Sequence, residues 1–554
     1  MKKILLAAAL LFMGCATLQA QYKLENLNIS YGEELPEDKQ KLVHFIGEAN
    51  GKIYGIGVRK DDYFLKIFES GSMKLLACKQ IVLPDLNDRE VEFEDVYLFN
   101  GKLYAIGSVY NKKEKVYNLV GTPLGEDGNL SKDGVILFKV PVEKKSERGN
   151  FYFRTTQDKS GLLVMHAVKL KKEDAVKYEV KLFDDNLATI FNTVEKVVYD
   201  DDHKDYEFYI ADFDVALNDD VFLVINEGWR DKKKKERVER FEVHAYKSAN
   251  AYKKEVINIG VTDKSLINCQ IVPSGNTLHL MGFYSGVTDS GRANAELKGV
   301  YAANINLTTN QPELVKFNDF DMATKVKLIG ERRAKKGKEV PPRYNITSII
   351  GREDGGVIML SEYQTVQDGG TTGIGFGGVG VGATTTIYNK NEIIVTSLAA
   401  DGTHEWSNVI PKLQAAAVTT FSAGLGFGAY GNSFSVGGVI SVPFAQMSSS
   451  GAEFIGAVPI YRNGVLSVLI NDNIKNKGVT DIEKIKGMGS INKLVPSLFV
   501  FDKKGNITRK DPDEVIKDEL ILRPGVVYRS DDSNYIIYAS KKDKDKLGRM
   551  TIPK

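Results

Sequence analysis

The acidic run Asp200-Asp201-Asp202-His203-Lys204-Asp205 gathers hard oxygen donors in one short stretch, the ligand type that calcium takes. Asp200, Asp202 and Asp205 are the candidate metal ligands, and calcium is the one cofactor they suggest. The run lacks the glycine and the distal glutamate of an EF-hand loop, and Lys204 adds an opposing charge, so a solvated turn between strands explains it better. Gly373-Ile374-Gly375-Phe376-Gly377-Gly378 satisfies G-x-G-x-x-G in form. A dinucleotide fingerprint also needs a helix whose N-terminus meets the pyrophosphate. Here the β-prone Thr384-Thr385-Thr386-Ile387-Tyr388 comes next, so composition alone accounts for the match.

Nucleophilic and metal-hydrolytic signatures do not occur. The chain has no G-x-S-x-G elbow, no His-Glu-x-x-His and no C-x-x-C, and His404-Glu405-Trp406 lacks the second histidine of a zinc site. No catalytic residue is therefore assigned. The basic stretches Arg230-Asp231-Lys232-Lys233-Lys234-Lys235-Glu236-Arg237 and Arg332-Arg333-Ala334-Lys335-Lys336-Gly337-Lys338 could meet an anionic glycan or lipid head group. Charged hairpin tips are the simpler explanation.

The elements that must position such residues are bounded by composition. With 74 Lys+Arg against 72 Asp+Glu in 554 residues, there is no excess positive charge of the kind a nucleic-acid binder uses on phosphates. Three cysteines exclude a disulfide-built scaffold. Residues 1–20 have the form of a signal peptide: Lys2 and Lys3, the apolar run Ile4 to Met13, then small residues up to Ala20. Removing them takes two lysines and no acid, leaving a formally neutral chain. Cleavage after Ala20 is preferred. The alternative is a lipobox at Gly14-Cys15 that would place a lipid on Cys15, with Phe12 a poor fit to it. No later stretch is apolar over the roughly 20 residues a membrane helix needs. Of the remaining cysteines, Cys78 and Cys269 lie in strand-like runs and read as two buried thiols.

From about residue 40 onward the pattern is that of short strands broken by Gly, Asn, Asp and Lys turns. One phrase recurs. Gly51-Lys52-Ile53-Tyr54-Gly55-Ile56-Gly57-Val58 returns nearly unchanged as Gly101-Lys102-Leu103-Tyr104-Ala105-Ile106-Gly107-Ser108. Degraded echoes begin at residues 161, 221, 277, 357, 464 and 535. The early spacing of about fifty to sixty residues is a little above that of four-stranded propeller blades. The expected fold is all-β: one β-propeller over residues 21–554, of seven or eight four-stranded blades, with each echo an inner strand. Closure is expected by pairing of C-terminal strands near Tyr535 with an N-terminal strand such as Tyr22–Leu27. Two glycine-rich, apolar stretches, near 366–385 and 415–458, break the rhythm and read as insertions from neighbouring blades.

The most distinctive stretch is Asn391-Glu392-Ile393-Ile394-Val395-Thr396-Ser397-Leu398, continued by Asp401-Gly402-Thr403-His404-Glu405-Trp406-Ser407-Asn408-Val409-Ile410-Pro411-Lys412. With Asn471-Asp472-Asn473 and Leu522-Arg523-Pro524, it resembles phrases in uncharacterised secreted proteins of the Bacteroidota. The resemblance covers about the last two hundred residues and implies an exported, propeller-like protein without an established activity. Independently of it, Asp401-Gly402 is a hairpin signal and Trp406 a large apolar anchor, read as interblade core in preference to a ligand-stacking platform.

The sequence thus favours an exported binding or scaffold module, periplasmic, outer-membrane-associated or extracellular. Its ligand would be a protein or glycan. Two alternatives stand beside it: a propeller hydrolase or lyase acting on a glycan or peptide, and an outer-membrane-associated assembly component.

Overall fold

The computed structural model describes residues 20–552, apart from 25–26, 37–38, 61, 171–174, 199–203, 232, 295, 377–378, 424–450, 513–519, 532 and 543. Eight antiparallel sheets succeed one another along the chain. They form the eight blades of a β-propeller, numbered here from the N-terminus: residues 41–80, 92–141, 150–198, 204–258, 264–319, 344–423, 457–510 and 521–551. The first strands of neighbouring blades touch. Lys41–Ala49 contacts both Glu92–Phe99 and Ile521–Arg529, which places first strands at the axis. The ring closes where Leu27–Glu34 pairs with Lys544–Thr551 in blade 8, with Ile29 opposite Met550, and Ala20–Leu24 adds a fifth strand outside it.

The eight sequence echoes are the eight second strands, from Lys52–Arg59 in blade 1 to Asn534–Lys541 in blade 8. Each lies within its blade, between the channel strand and the third strand. A second strand is covered by a neighbouring blade on both faces and becomes a continuous hydrophobic run. A first strand lines the channel and alternates. Lys52–Arg59 is buried at six consecutive positions, whereas Lys41–Ala49 mixes buried and half-buried ones.

Turn chemistry repeats with the blades. Asn50-Gly51 and Asn100-Gly101 have positive φ at both residues, the conformation of a tight hairpin turn. Each is succeeded by a lysine that reaches into the next blade: Lys52 to Glu126 at 2.9 Å and Lys102 to Asp185 at 3.1 Å. Gly282 in blade 5 meets a different demand. The blade's first strand is split into Lys264–Leu266 and Gln270–Ser274, and the Asn268 carbonyl between them lies 2.0 Å from where a Gly282 Cβ would sit.

Blade 6 departs from the others. Its second, third and fourth strands, Val357–Phe376, Val379–Leu398 and His404–Ala423, are 20 residues each, while no other described strand exceeds the 12 residues of Lys204–Val215. Residues 366–376, 379–385 and 415–423 of the glycine-rich stretches therefore enter the fold as prolongations of three strands in one blade, while 424–450, the greater part of the second stretch, lies outside the described residues. The basic stretch around Arg332 likewise forms a short helix, Glu331–Lys335, after Met322–Ile329, where a hairpin tip was expected.

Candidate functional site

An antiparallel meander puts the turns between strands 1 and 2, and 3 and 4, on one face of the ring. The other face carries the turns between strands 2 and 3 and the links between blades. Blade 6 contributes a distinct feature to each face.

On the second face its three long strands project as an arm. The ladder continues outward, with Ile374 opposite Val381, Phe376 opposite Val379, Ala383 opposite Phe421 and Val381 opposite Ala423. Alternate register positions pair glycines, Gly373 with Gly382 and Gly375 with Gly380. At the root of the arm, Lys412 and Glu362 form a buried ion pair at 2.9 Å, their side chains 0% and 4% exposed. Gln364 donates to Glu362 at 2.7 Å, Lys412 to Gln414 at 3.0 Å, and Gln414 to the Asn471 carbonyl of blade 7 at 2.7 Å. Burial pushes the Glu362 carboxyl up, but Lys412 and Lys390 outweigh it and hold it below its ordinary value. Burial also drives Lys412 down, against the pull of Glu362.

On the first face a cleft of about 140 Å³ opens between blades 6 and 7. Ile358 and Leu466 lie at its base. Trp406, Tyr461 and Phe501 are its aromatic lining, and Arg352, Glu353, Asp354, Asp502 and Lys503 supply charge. Trp406 stacks on Phe501 with centroids 5.9 Å apart and planes 8° from parallel, and its indole N–H donates to the Lys503 carbonyl at 3.2 Å. Gly505, at φ +79°, has no room for a side chain, since a Cβ would stand 2.3 Å from the indole. Trp406 is thus the interblade anchor expected from its type, and also a wall of the cleft. Arg352 is fully engaged: it donates to Ser397 Oγ at 2.6 Å and to Asp354 Oδ1 at 3.0 Å, and it pairs with Glu405. Those bonds hold the Glu405 and Asp354 carboxyls below their ordinary range.

Asp212 ties three blades together, and Glu94 is bonded within its own blade. Asp212 of blade 4 pairs with Arg154 of blade 3 at 2.8 Å and accepts the Ile271 N–H of blade 5 at 2.9 Å. Glu94 accepts from Ser108 at 2.5 Å. Burial raises Asp95 to about 7 and Asp214 to about 6. The turn at 156–161 of blade 3 crosses the axis. Lys159 bonds the Tyr528 hydroxyl of blade 8, its Nζ 4.4 Å from that ring's centre, and Gln157 donates to Pro273 O of blade 5 at 3.1 Å.

Of the metal candidates, Asp200 and Asp202 lie outside the described residues, as does Cys15. Asp205 pairs in register with Arg230 on the second strand of blade 4. Among the described residues no three His, Cys, Asp or Glu are grouped to hold a metal ion. No described helix is long and apolar enough to cross a membrane. Cys78 and Cys269 form no disulfide. Cys269 is buried and its thiol pushed up by desolvation, but Cys78 is exposed, contrary to expectation, because Leu75–Gln80 is the outermost strand of blade 1 and alternates toward solvent. Arg237 of the first basic run is drawn inward to a buried pair with Glu239 at 2.9 Å. Arg352, Tyr461 and Phe501 carry no sequence signal. They come from three turns or strand ends that only the ring brings together.

No family model matches the chain, and no curated protein does. Similar solved structures are distant. The Dos1 propeller is 9% identical over 94% of both chains, with a TM-score of 0.37. The polysaccharide lyase Uly1 is 9% identical over 94% of this chain and 99% of that one, at 0.35. Prolyl oligopeptidase B from Galerina marginata is 10% identical over 91% of this chain, at 0.34, and the match spans 55% of that enzyme's length.

Proposed function

We propose that this protein is an exported binding or scaffold component of the cell envelope that docks through the arm of blade 6. The observation that carries this reading is the length of three strands in a single blade. Closing a propeller asks for no such extension, and seven blades do without it. Composition agrees. Gly369 to Tyr388 and Leu413 to Ala452 contain no charged residue, in a chain where such residues are 26%. An uncharged sheet reaching beyond the ring is suited to an apolar partner surface, since large exposed apolar patches mark interaction sites.

The hydrolase or lyase alternative lacks comparable support. Its glycosidase form needs two carboxyl groups facing each other across a substrate, and Asp212 and Glu94 are committed to bonds within and between blades. The test is removal of residues 369–385, joining Asp368 to Thr386, which pair in register, through an Asn-Gly turn. The shortened chain is expected to keep its unfolding transition and to lose its recovery with envelope membranes on cell fractionation. Full recovery with membranes would contradict the reading.

A further inference from the structure

We propose that the cleft between blades 6 and 7 is a binding site for a small organic cation of the alkylammonium or guanidinium type. This site is independent of the arm and opens on the opposite face.

Charge, lining and size each select this class. The cleft-lining charges are two cations, Arg352 and Lys503, against three carboxylates, Glu353, Asp354 and Asp502. Asp354 and Glu405 both pair with Arg352, which leaves that group of three with one net negative charge. The guanidinium of Arg352 is consumed by Asp354, Glu405 and Ser397, so it offers an anionic ligand little. Glu353 is exposed at the rim beside Tyr461. Trp406 and Tyr461, both half-buried, add two aromatic rings to this negative excess, and Phe501, 1% exposed, backs the indole. Ring faces attract cations, worth about 0.5–2 kcal/mol per contact, and aromatic cages are the recurrent solution for alkylated ammonium groups. Ile358 and Leu466, 4% and 2% exposed, give the base an apolar surface for methyl or methylene groups. A cavity of about 150 Å³ holds a molecule the size of benzene, so this cleft takes a single head group and not an extended chain.

The geometry also provides the reporter. The chain has two tryptophans. Trp229 packs under Arg240 in blade 4, so Trp229→Phe leaves Trp406 as the only indole. Fluorescence of that full-length variant is titrated with tetramethylammonium, ethylguanidinium, glucose and inorganic phosphate. The first two are expected to give a saturable change and the last two none. Tyr461→Ala and, separately, the surface change Glu353→Gln are expected to weaken cation binding by about 3- to 30-fold, in line with the strength of such contacts. Whether tetramethylammonium or ethylguanidinium binds more tightly tells an alkylammonium site from one for an arginine-like side chain. A linear, non-saturating response to both cations, saturation by glucose or phosphate instead, or affinity unchanged in Glu353→Gln and Tyr461→Ala would overturn the proposal.

Discussion

Blades 1 and 6 share one topology and treat the outer end of their second strand in opposite ways. In blade 1 the strand stops at Arg59, and Arg59 and Asp62 face each other across the turn at 3.7 Å, both nearly half exposed. In blade 6 the strand runs on, and the charges met near this level, Glu362 and Lys412, are sealed between strands and the neighbouring blade. The difference lies in how the chain continues beyond each pair. A turn leaves charges in water, where a pair contributes about 0–1 kcal/mol. A continued ladder covers them, and each becomes costly without the other. The buried pair marks the boundary between blade and arm.

Breaking that pair is the largest effect expected. Lys412→Met leaves Glu362 buried without its partner and should cost about 3–5 kcal/mol in denaturant unfolding. The double change Lys412→Met with Glu362→Leu should recover most of the loss, because the uncompensated charge is gone. Next in size is Gly505→Ala, which sets a methyl against the Trp406 indole at a positive φ. A loss of about 1–3 kcal/mol is expected from the overpacking.

The channel gives a prediction in pH. Asp95 has a folded pKa raised by burial to about 7, against an unfolded value near 3.8. The folded state therefore holds a proton that the unfolded state has released, and this residue makes stability fall as pH rises from about 4 to 7. Asp95→Asn should raise the unfolding temperature at pH 8 by roughly 1–3 °C and leave it nearly unchanged at pH 4. The smallest effect belongs to blade 1: Asp62→Ala should change stability by about 0–1 kcal/mol. A cost there equal to that of Lys412→Met would remove the distinction between the two blades.

The propeller was readable in the sequence because second strands are buried on both faces, so Lys52–Arg59 and Lys102–Asn111 keep nearly the same phrase. The channel strands carry less regular runs such as Glu92–Phe99. The arm was visible only as composition. Strands in which glycine alternates with threonine, valine or phenylalanine resemble a low-complexity loop, and their length depends on pairing that no single segment reveals. In the cleft, Trp406 stood out by residue type. Arg352, Tyr461 and Phe501 did not, because closure of the ring, not local sequence, brings them together.

Contact with a partner through the arm, and not through the regular blades, is open to a test in the cell. A photo-crosslinking phenylalanine analogue is placed at Val366, exposed at the base of the arm, and in a second chain at Lys60, in the turn of blade 1. Irradiation in whole cells should give discrete cross-linked species from position 366 and none from position 60. The same products from both positions, or none from 366, would contradict it.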